Sequence, residues 1–458
     1  MPPADPSEQR PLRLAYLSYR SKPTVGGQGI YTRHLTKALA DLGHRVEVFS
    51  GQPYPVLDER VGLQRLPSLD IFNDHFPGRF PAYWEIKTLP DFVEISQFSL
   101  GTFSEPLAFS LRAHRALRDR VDDFDVVHDN QCLGYGVLAI DRLLPTVVTL
   151  HHPITVDRRL EMAAAPTWRK RLSTARWYSF VKMQGRVARH MPRIVVVSEN
   201  SIDDIHTDMG VDRDRMRLVH VGVDPDLFRP LPGVSRIPGR LITTASADVE
   251  LKGLRFLLEA MAKVRTERDV SLTVIGRAKE GGPAAALIER LGLGDAVTFV
   301  TGVPDERIVE LYAESELAVV PSLYEGFSLP AVEAMASATP LVATSGGALP
   351  EVTGVDGETV LRCAPGDVDS LAAALRRGLD DPELRARIGA AGRERVSRLY
   401  TWRRTAEATV AQYREVLAMW RRDEKWGSGH GGSGVGSGPV GRAAVARAAA
   451  ARRVRGRR

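Results

Sequence analysis

Short apolar runs alternate with amphipathic stretches along most of the chain. Residues 12–17, LRLAYL, read as a buried strand and residues 45–50, RVEVFS, as another. Between them Ile30, Leu35, Ala38, Leu39 and Leu42 recur at helical spacing, which predicts a helix over about 30–42 and a βαβ unit with parallel strands. Three more runs at 124–128, 146–150 and 193–198 continue that series, with helices expected over 107–120 and, rich in arginine, over 158–189. A second series begins at 241–245 and repeats at 271–275, 297–300 and 317–320, with helices at 253–264 and 283–291. Alternation of this kind predicts an α/β protein with two doubly wound parallel sheets. Residues 52–106 break the rhythm. They carry many prolines together with Tyr54, Phe72, Phe76, Phe80, Tyr83, Trp84 and Phe92, and read as a long irregular segment.

One stretch concentrates candidate chemistry: residues 319–336, VVPSLYEGFSLPAVEAMA. It reads as the end of a buried strand, a short turn and a helix start, with Ser328 as N-cap and Pro330 in the first turn. Such a helix start presents unpaired N–H groups and the positive end of the helix dipole, a seat for phosphate. Glu325 and Glu333 flank it. Carboxylates beside a phosphate seat repel the ligand unless they address neutral hydroxyls, so the pattern fits a diphosphate with sugars on both sides, a nucleotide-sugar.

Glu325-x7-Glu333 in the setting EGFSLPAVEAMA, followed by Pro340 to Thr344 and Gly346-Gly347, resembles the donor-site signature of glycosyltransferase family 4, retaining enzymes of the GT-B fold. The resemblance covers roughly residues 12–422 and implies two Rossmann-like domains facing a cleft. It implies flexible residues 1–11, an acceptor-side domain over 12–215, a nucleotide-sugar domain over 216–399, and a cross-over helix over 400–422 that packs back on the first domain. Glu325 would then contact donor-sugar hydroxyls, Glu333 the ribose, and the backbone of Gly326, Phe327, Ser328 and Leu329 the diphosphate. Gly302 and Val303 resemble the turn against which the base packs, and Gly26 and Gly27 the loop that lines the cleft. His151 occupies the position of a histidine close to the donor sugar, and Lys252 that of a lysine facing the diphosphate. The arginine that the family places about five residues before that lysine is absent, the sequence there being Ala245-Ser246-Ala247-Asp248. Arg277, which follows a strand expected to neighbour 241–245, is the candidate replacement.

Parallel sheets bind ligands at the C-terminal ends of their strands, which makes His128, Asp129 and Asn130 after the 124–128 run, and His152 beside His151, acceptor-side candidates. Asp123-x-Asp125 has metal-ligand spacing but precedes its strand, so it reads as structure, and no cofactor or metal is expected. Gly27-x-Gly29 lacks the third glycine of a dinucleotide fingerprint.

Composition refines the picture in two places. The formal net charge of +6 comes from seven arginines after Trp426; without them 55 basic residues face 56 acidic ones, so a specific nucleic-acid surface is not expected. Residues 426–458, Gly-rich and then Arg-rich, read as a disordered tail, with contact to an anionic membrane as an alternative role for basic residues there and in 158–189. With two distant cysteines and no long apolar run, the expected location is cytoplasmic, soluble or peripheral to a membrane. The expected function is metal-independent, retaining transfer of a hexosyl group from a nucleotide-diphosphate sugar to an unidentified acceptor. The alternatives are a nucleotide-sugar epimerase or phosphorylase of the same fold, or a non-catalytic nucleotide-sugar-binding protein.

Overall fold

The computed structural model describes residues 10–21, 27–73, 78–245 and 249–428, residues 164 and 423–428 through their backbone alone. The chain divides into two units. The first takes the chain up to Val196, Asp204–Val219 and everything from Ala406; the second takes Val197–Asp203 and His220–Thr405.

The first unit is wound on β1 (Arg13–Ser18). There follow α1 (Gly27–Asp41), β2 (Arg45–Ser50), β3 (Gly62–Arg65), α2 (Leu89–Ser99), α3 (Glu105–Leu117), β4 (Val126–Asn130), α4 (Tyr135–Asp141) and β5 (Thr146–Leu150). Next come α5 (Thr155–Ala164), α6 (Trp168–Trp177), α7 (Phe180–Ala188), β6 (Ile194–Val196), α8 (Glu199–Met209) and β7 (Met216–Leu218). The strands are parallel in the order β3-β2-β1-β4-β5-β6-β7. β4 and β5 are buried along their whole length, as continuous apolar strands covered on both faces must be. Residues 52–106 are less irregular than their composition predicts. They supply β3 and α2, the latter started by Thr88, whose hydroxyl accepts from the Asp91 N–H. A satellite core of Leu69, Ile71 and Ile95 absorbs Phe72 and Phe98, while Phe80, Tyr83, Trp84 and Phe92 remain exposed.

The second unit contains β8 (Ile237–Thr244), α9 (Leu254–Arg265), β9 (Ser271–Ile275), α10 (Pro283–Arg290), β10 (Val297–Val300), α11 (Asp305–Glu314), β11 (Ser315–Val320), α12 (Leu329–Ala336), β12 (Leu341–Thr344), α13 (Leu349–Thr353) and β13 (Leu361–Cys363). It continues through α14 (Val368–Asp380) and α15 (Pro382–Leu399) to α16 (Trp402–Ser428). Its parallel order is β10-β9-β8-β11-β12-β13. In both sheets the winding reverses beside the first strand, opening a crevice between β1 and β4 and another between β8 and β11.

From Ala406 onward α16 belongs to the first unit, burying Ala406, Val410, Tyr413 and Val416 along one stripe. The Tyr413 hydroxyl meets His128 Nδ1 at 2.5 Å, and Glu415 pairs with the buried Arg193. Among the described residues no helix is long and apolar enough to cross a membrane. Most of the expected tail lies outside them, as do residues 1–9.

Candidate functional site

In the second unit three loops meet at the C-terminal edge of β8, β11 and β12. A single 3-10 turn, Glu250–Lys252, ends at Gly253 with φ +66°, and a Cβ there would lie 2.0 Å from the Pro321 carbonyl oxygen. Only glycine lets the β8 loop approach the β11 loop so closely, and the Leu323 N–H then donates to the Leu251 carbonyl at 2.8 Å. From the other side Gly347, φ +61°, has no room for a Cβ against the Glu325 backbone, and the Ala348 N–H donates to the Glu325 carbonyl. The loop carrying Glu325 is thus held on both flanks.

Lys252 Nζ donates to Glu325 Oε1 at 2.8 Å, and the Ser322 hydroxyl donates to the same oxygen at 2.7 Å. Ser322 was not legible as a site residue; its serine-before-carboxylate spacing is too common a signal. Ser328 stands at the N-cap position of α12, but its hydroxyl does not cap the helix. Its backbone is left-handed, φ +94°, and its Oγ is buried without a hydrogen-bond partner. A β-branch-free but non-glycine residue held in that region stores strain that an isolated turn would relax, and such strain gathers at ligand sites. The first turn of α12 therefore has its N–H groups free of a side-chain cap. One turn on, Glu333 accepts from the Tyr312 hydroxyl at 3.5 Å. Burial, reinforced by the charge of Asp305, pushes its carboxyl up to about 7.

The remaining predicted donor residues lie around this edge. Gly302, φ +69°, and Val303 form the turn after β10. Arg277 is exposed two residues beyond β9, and β9 does pair with β8, Thr244 opposite Ile275. Residues 246–248, where the family arginine is missing, lie outside the described residues. The Phe327 side chain packs instead against Tyr400 and His220, rings 5.5 and 6.2 Å away, which leaves only its backbone as a candidate.

In the first unit the crevice between β1 and β4 is differently built. Gly26 lies outside the described residues, and Gly27 is the first residue of α1 rather than part of a loop, shortening the expected link from strand to helix. His128, Asp129 and Asn130 were expected to open at the end of their strand; β4 instead runs on through Asn130 and buries all three completely. His128 Nε2 meets the Thr149 hydroxyl at 2.7 Å. Asp129 Oδ2 accepts from the Leu133 N–H, closing the loop after β4, and burial pushes this carboxyl up to about 7. Its other oxygen, Oδ1, is buried without a hydrogen-bond partner. Asn130 is a positioning residue: its Oδ1 accepts from His151 Nε2 at 2.8 Å, while its amide donates to the Thr32 hydroxyl at 3.1 Å. Because an amide oxygen only accepts, His151 carries its proton on Nε2. Its ring meets the edge of Tyr31 at 4.6 Å, and burial, with His152 beside it, drives it down to about 3. His152 pairs with Asp157 at 2.9 Å.

Gln131 escaped the sequence reading. With φ +56° it turns its side chain back, accepting from the His151 N–H and donating to the His152 carbonyl, and so fixes both histidines.

Comparison with known proteins bears on the family and the fold. Residues 25–227 match Glycosyltransferase Family 4 and residues 237–395 match Glycosyl transferases group 1. An MMP alpha-(1->4)-mannosyltransferase of Mycolicibacterium hassiacum is 52% identical over 409 residues, spanning 89% of this chain and 99% of the relative. A D-inositol 3-phosphate glycosyltransferase of Streptomyces avermitilis is 27% identical across 94% of this chain and 93% of its own. Among solved structures, sucrose-phosphate synthase from Thermosynechococcus elongatus superposes with a TM-score of 0.68 at 24% identity, over 89% of this chain and all of that one. Anabaena HepE in complex with UDP-glucose gives 0.64 at 16% identity, over 89% of this chain and all of that one. The chain belongs to glycosyltransferase family 4, the group 1 glycosyl transferases of GT-B fold.

Proposed function

We propose that this glycosyltransferase moves a mannosyl group from a nucleotide-diphosphate sugar to a sugar hydroxyl, with retention and without a metal, forming an α-(1→4) linkage. The observation that carries the reading is the Lys252–Glu325 pair at 2.8 Å beside the uncapped first turn of α12. Charge grows on the diphosphate as the glycosidic bond breaks, and the lysine and the helix dipole are the fixed positive groups that meet it. Glu325 Oε1 is already engaged by Lys252 and Ser322, which suits a carboxylate oriented toward sugar hydroxyls rather than one acting as nucleophile. Retention then proceeds by attack from the leaving-group side, a donor phosphate oxygen taking the acceptor's proton. Glu333, at the second flank, addresses the ribose hydroxyls; Arg277 supplies the second cation. The mannosyl group and the linkage come from the relative that shares 52% of its residues.

The test is binding and hydrolysis of UDP-, GDP- and ADP-hexoses, mannose among the sugars, by wild type, Lys252→Ala and Glu333→Ala. One donor turned over by wild type, with both variants impaired, supports the reading. NMR of the product formed on an α-mannoside then gives anomeric configuration and linkage. A β product, or a donor sugar other than mannose, overturns the corresponding part.

A further inference from the structure

A separate cavity of about 210 Å³ opens in the first unit, lined by residues of α2, α3, α4, α7 and the loop between α2 and α3. Its position follows from the winding. In a parallel sheet each return helix starts at the C-terminal edge of the strands, and the cavity is lined by Leu107 in the first turn of α3, Tyr135 at the start of α4 and Phe180 at the start of α7. It therefore lies at the edge that also carries His151, the edge where parallel sheets take ligands. α7 is linked to that histidine through Gln131: Gln184 donates to the carbonyls of Gln131 and Cys132, and Gln131 holds the backbone of both His151 and His152.

The lining combines aromatic surface, neutral hydrogen-bonding groups and two cations. Phe103 and Phe180 meet edge to face at 5.2 Å, and with Tyr135 they offer aromatic surface; Gln97, Thr102 and Ser179 add amide and hydroxyl groups. Lys182 and Arg186 stand four residues apart on α7, both exposed, and among the described residues no acidic side chain lines the cavity. Like charges at that spacing oppose each other, so an anion between or beside them would relieve the repulsion. Arg186 is already oriented by its bond to the Tyr135 hydroxyl at 3.1 Å. Aromatic faces stack on sugar rings, cations take carboxylate or phosphate, and the volume is well below the roughly 300–1,000 Å³ of drug-sized sites.

We propose that this cavity is a subsite for a single sugar unit bearing a carboxylate or phosphate, and, resting on the transferase reading above, that it holds the anionic end of the acceptor. Binding is read directly, without transfer, from the methyl resonance of Met183, a buried residue of the cavity wall, in ¹³C-methionine-labelled protein, assigned through Met183→Leu. Mannose 6-phosphate and glucuronate serve as anionic probes, with methyl α-mannoside and inorganic phosphate as controls. Both anionic sugars are expected to shift Met183 and to saturate in the millimolar range. Each of Lys182→Gln and Arg186→Gln is expected to weaken them by about tenfold while leaving the donor titration unchanged. If neither anionic sugar shifts Met183, or the neutral sugar or bare phosphate binds as tightly, or the variants bind like wild type, the subsite is refuted. Anionic sugars that bind in a protein with no nucleotide-sugar affinity leave the subsite standing and sink the transferase reading instead.

Discussion

At the β8/β11 edge a lysine and a carboxylate meet at 2.8 Å under an uncapped helix start, whereas at the β1/β4 edge a neutral imidazole is clamped by an amide between an aromatic ring and a buried strand. The two units share one winding, 3-2-1-4-5-6 with a seventh strand added in the first. What differs is how each crevice handles charge. The second unit keeps a lysine and an uncapped helix start at its crevice, the groups that the proposed transfer would use against the diphosphate. The first buries His128 within β4 and holds His151 just beyond β5, both driven down to about 3, so that each imidazole is neutral near pH 7 and acts through its hydrogen bonds. A topology thus supplies two equivalent crevices, and the side chains assign their chemistry.

The sharpest way to break this contrast is to remove the cation. Lys252→Ala is expected to lower kcat by on the order of 10²–10³, the cost of losing one preorganised charge-stabilising group. Circular dichroism and melting temperature should change little, since Lys252 is half-exposed. Equal kcat in variant and wild type would remove the electrostatic role of this edge. The loop geometry that aims the lysine can be attacked separately: Gly253→Ala forces a Cβ against the Pro321 oxygen at positive φ and is expected to cost more than about 2 kcal/mol in urea unfolding, with Lys252 itself untouched.

Much of this architecture was legible because its signals are local. The runs at 271–275 and 297–300 coincide with β9 and β10, since both are short, rich in β-branched residues and closed by glycine or a polar turn, although β10 at the sheet edge buries none of its residues. What was not legible depended on tertiary context. α2 is built from Leu89–Ser99, but prolines and exposed aromatics around it masked the helical period, and its capping box at Thr88 and Asp91 was the available signal. Asp129 and Asn130 look like loop residues by composition, yet the sheet buries them because each finds a bond its neighbours supply. Ser328 and Gln131 adopt left-handed backbones normally left to glycine or asparagine, which no propensity scale anticipates.

Next in size is Arg277. If it replaces the missing family arginine, Arg277→Ala lowers kcat by about tenfold, less than Lys252→Ala because the side chain is exposed and screened. Unchanged turnover would leave the β8/β11 edge with a single cation. A smaller effect concerns Glu333, whose carboxyl sits at about 7 in the free protein. Ribose hydroxyls donating to it favour the ionised form and lower that value, so donor binding at about pH 6.5 should release a fraction of a proton, on the order of one half. Calorimetry in buffers of different ionisation enthalpy measures this, and Glu333→Gln should abolish it. The same carboxyl affects folding with a definite sign: raised in the folded state, it favours folding below its unfolded value of 4.5 and loses that advantage as pH rises through about 7. Asp129 acts in the same direction in the first unit, so only the pair of variants Glu333→Gln and Asp129→Asn separates the two contributions.

The smallest effect is an expected absence of one, and it defines the first unit's side of the contrast. With His151 held near 3 and its Nε2–H committed to Asn130, the imidazole should show no protonation between about pH 5 and pH 8 in ¹⁵N NMR spectra, and its titration should contribute no limb to the kcat profile there. The two clauses share one cause, burial of the ring beside a second histidine. Asn130→Asp replaces a neutral acceptor by a charged one at the same 2.8 Å position, which stabilises the imidazolium and should bring a histidine titration into that range. Asn130→Ala, by contrast, removes this hydrogen bond without adding a charge, and should lower kcat with little change in pH dependence. A wild-type His151 that titrates near 6.5 would mean that burial does not control this edge, and the division of labour between the two crevices would have to rest on the lysine alone.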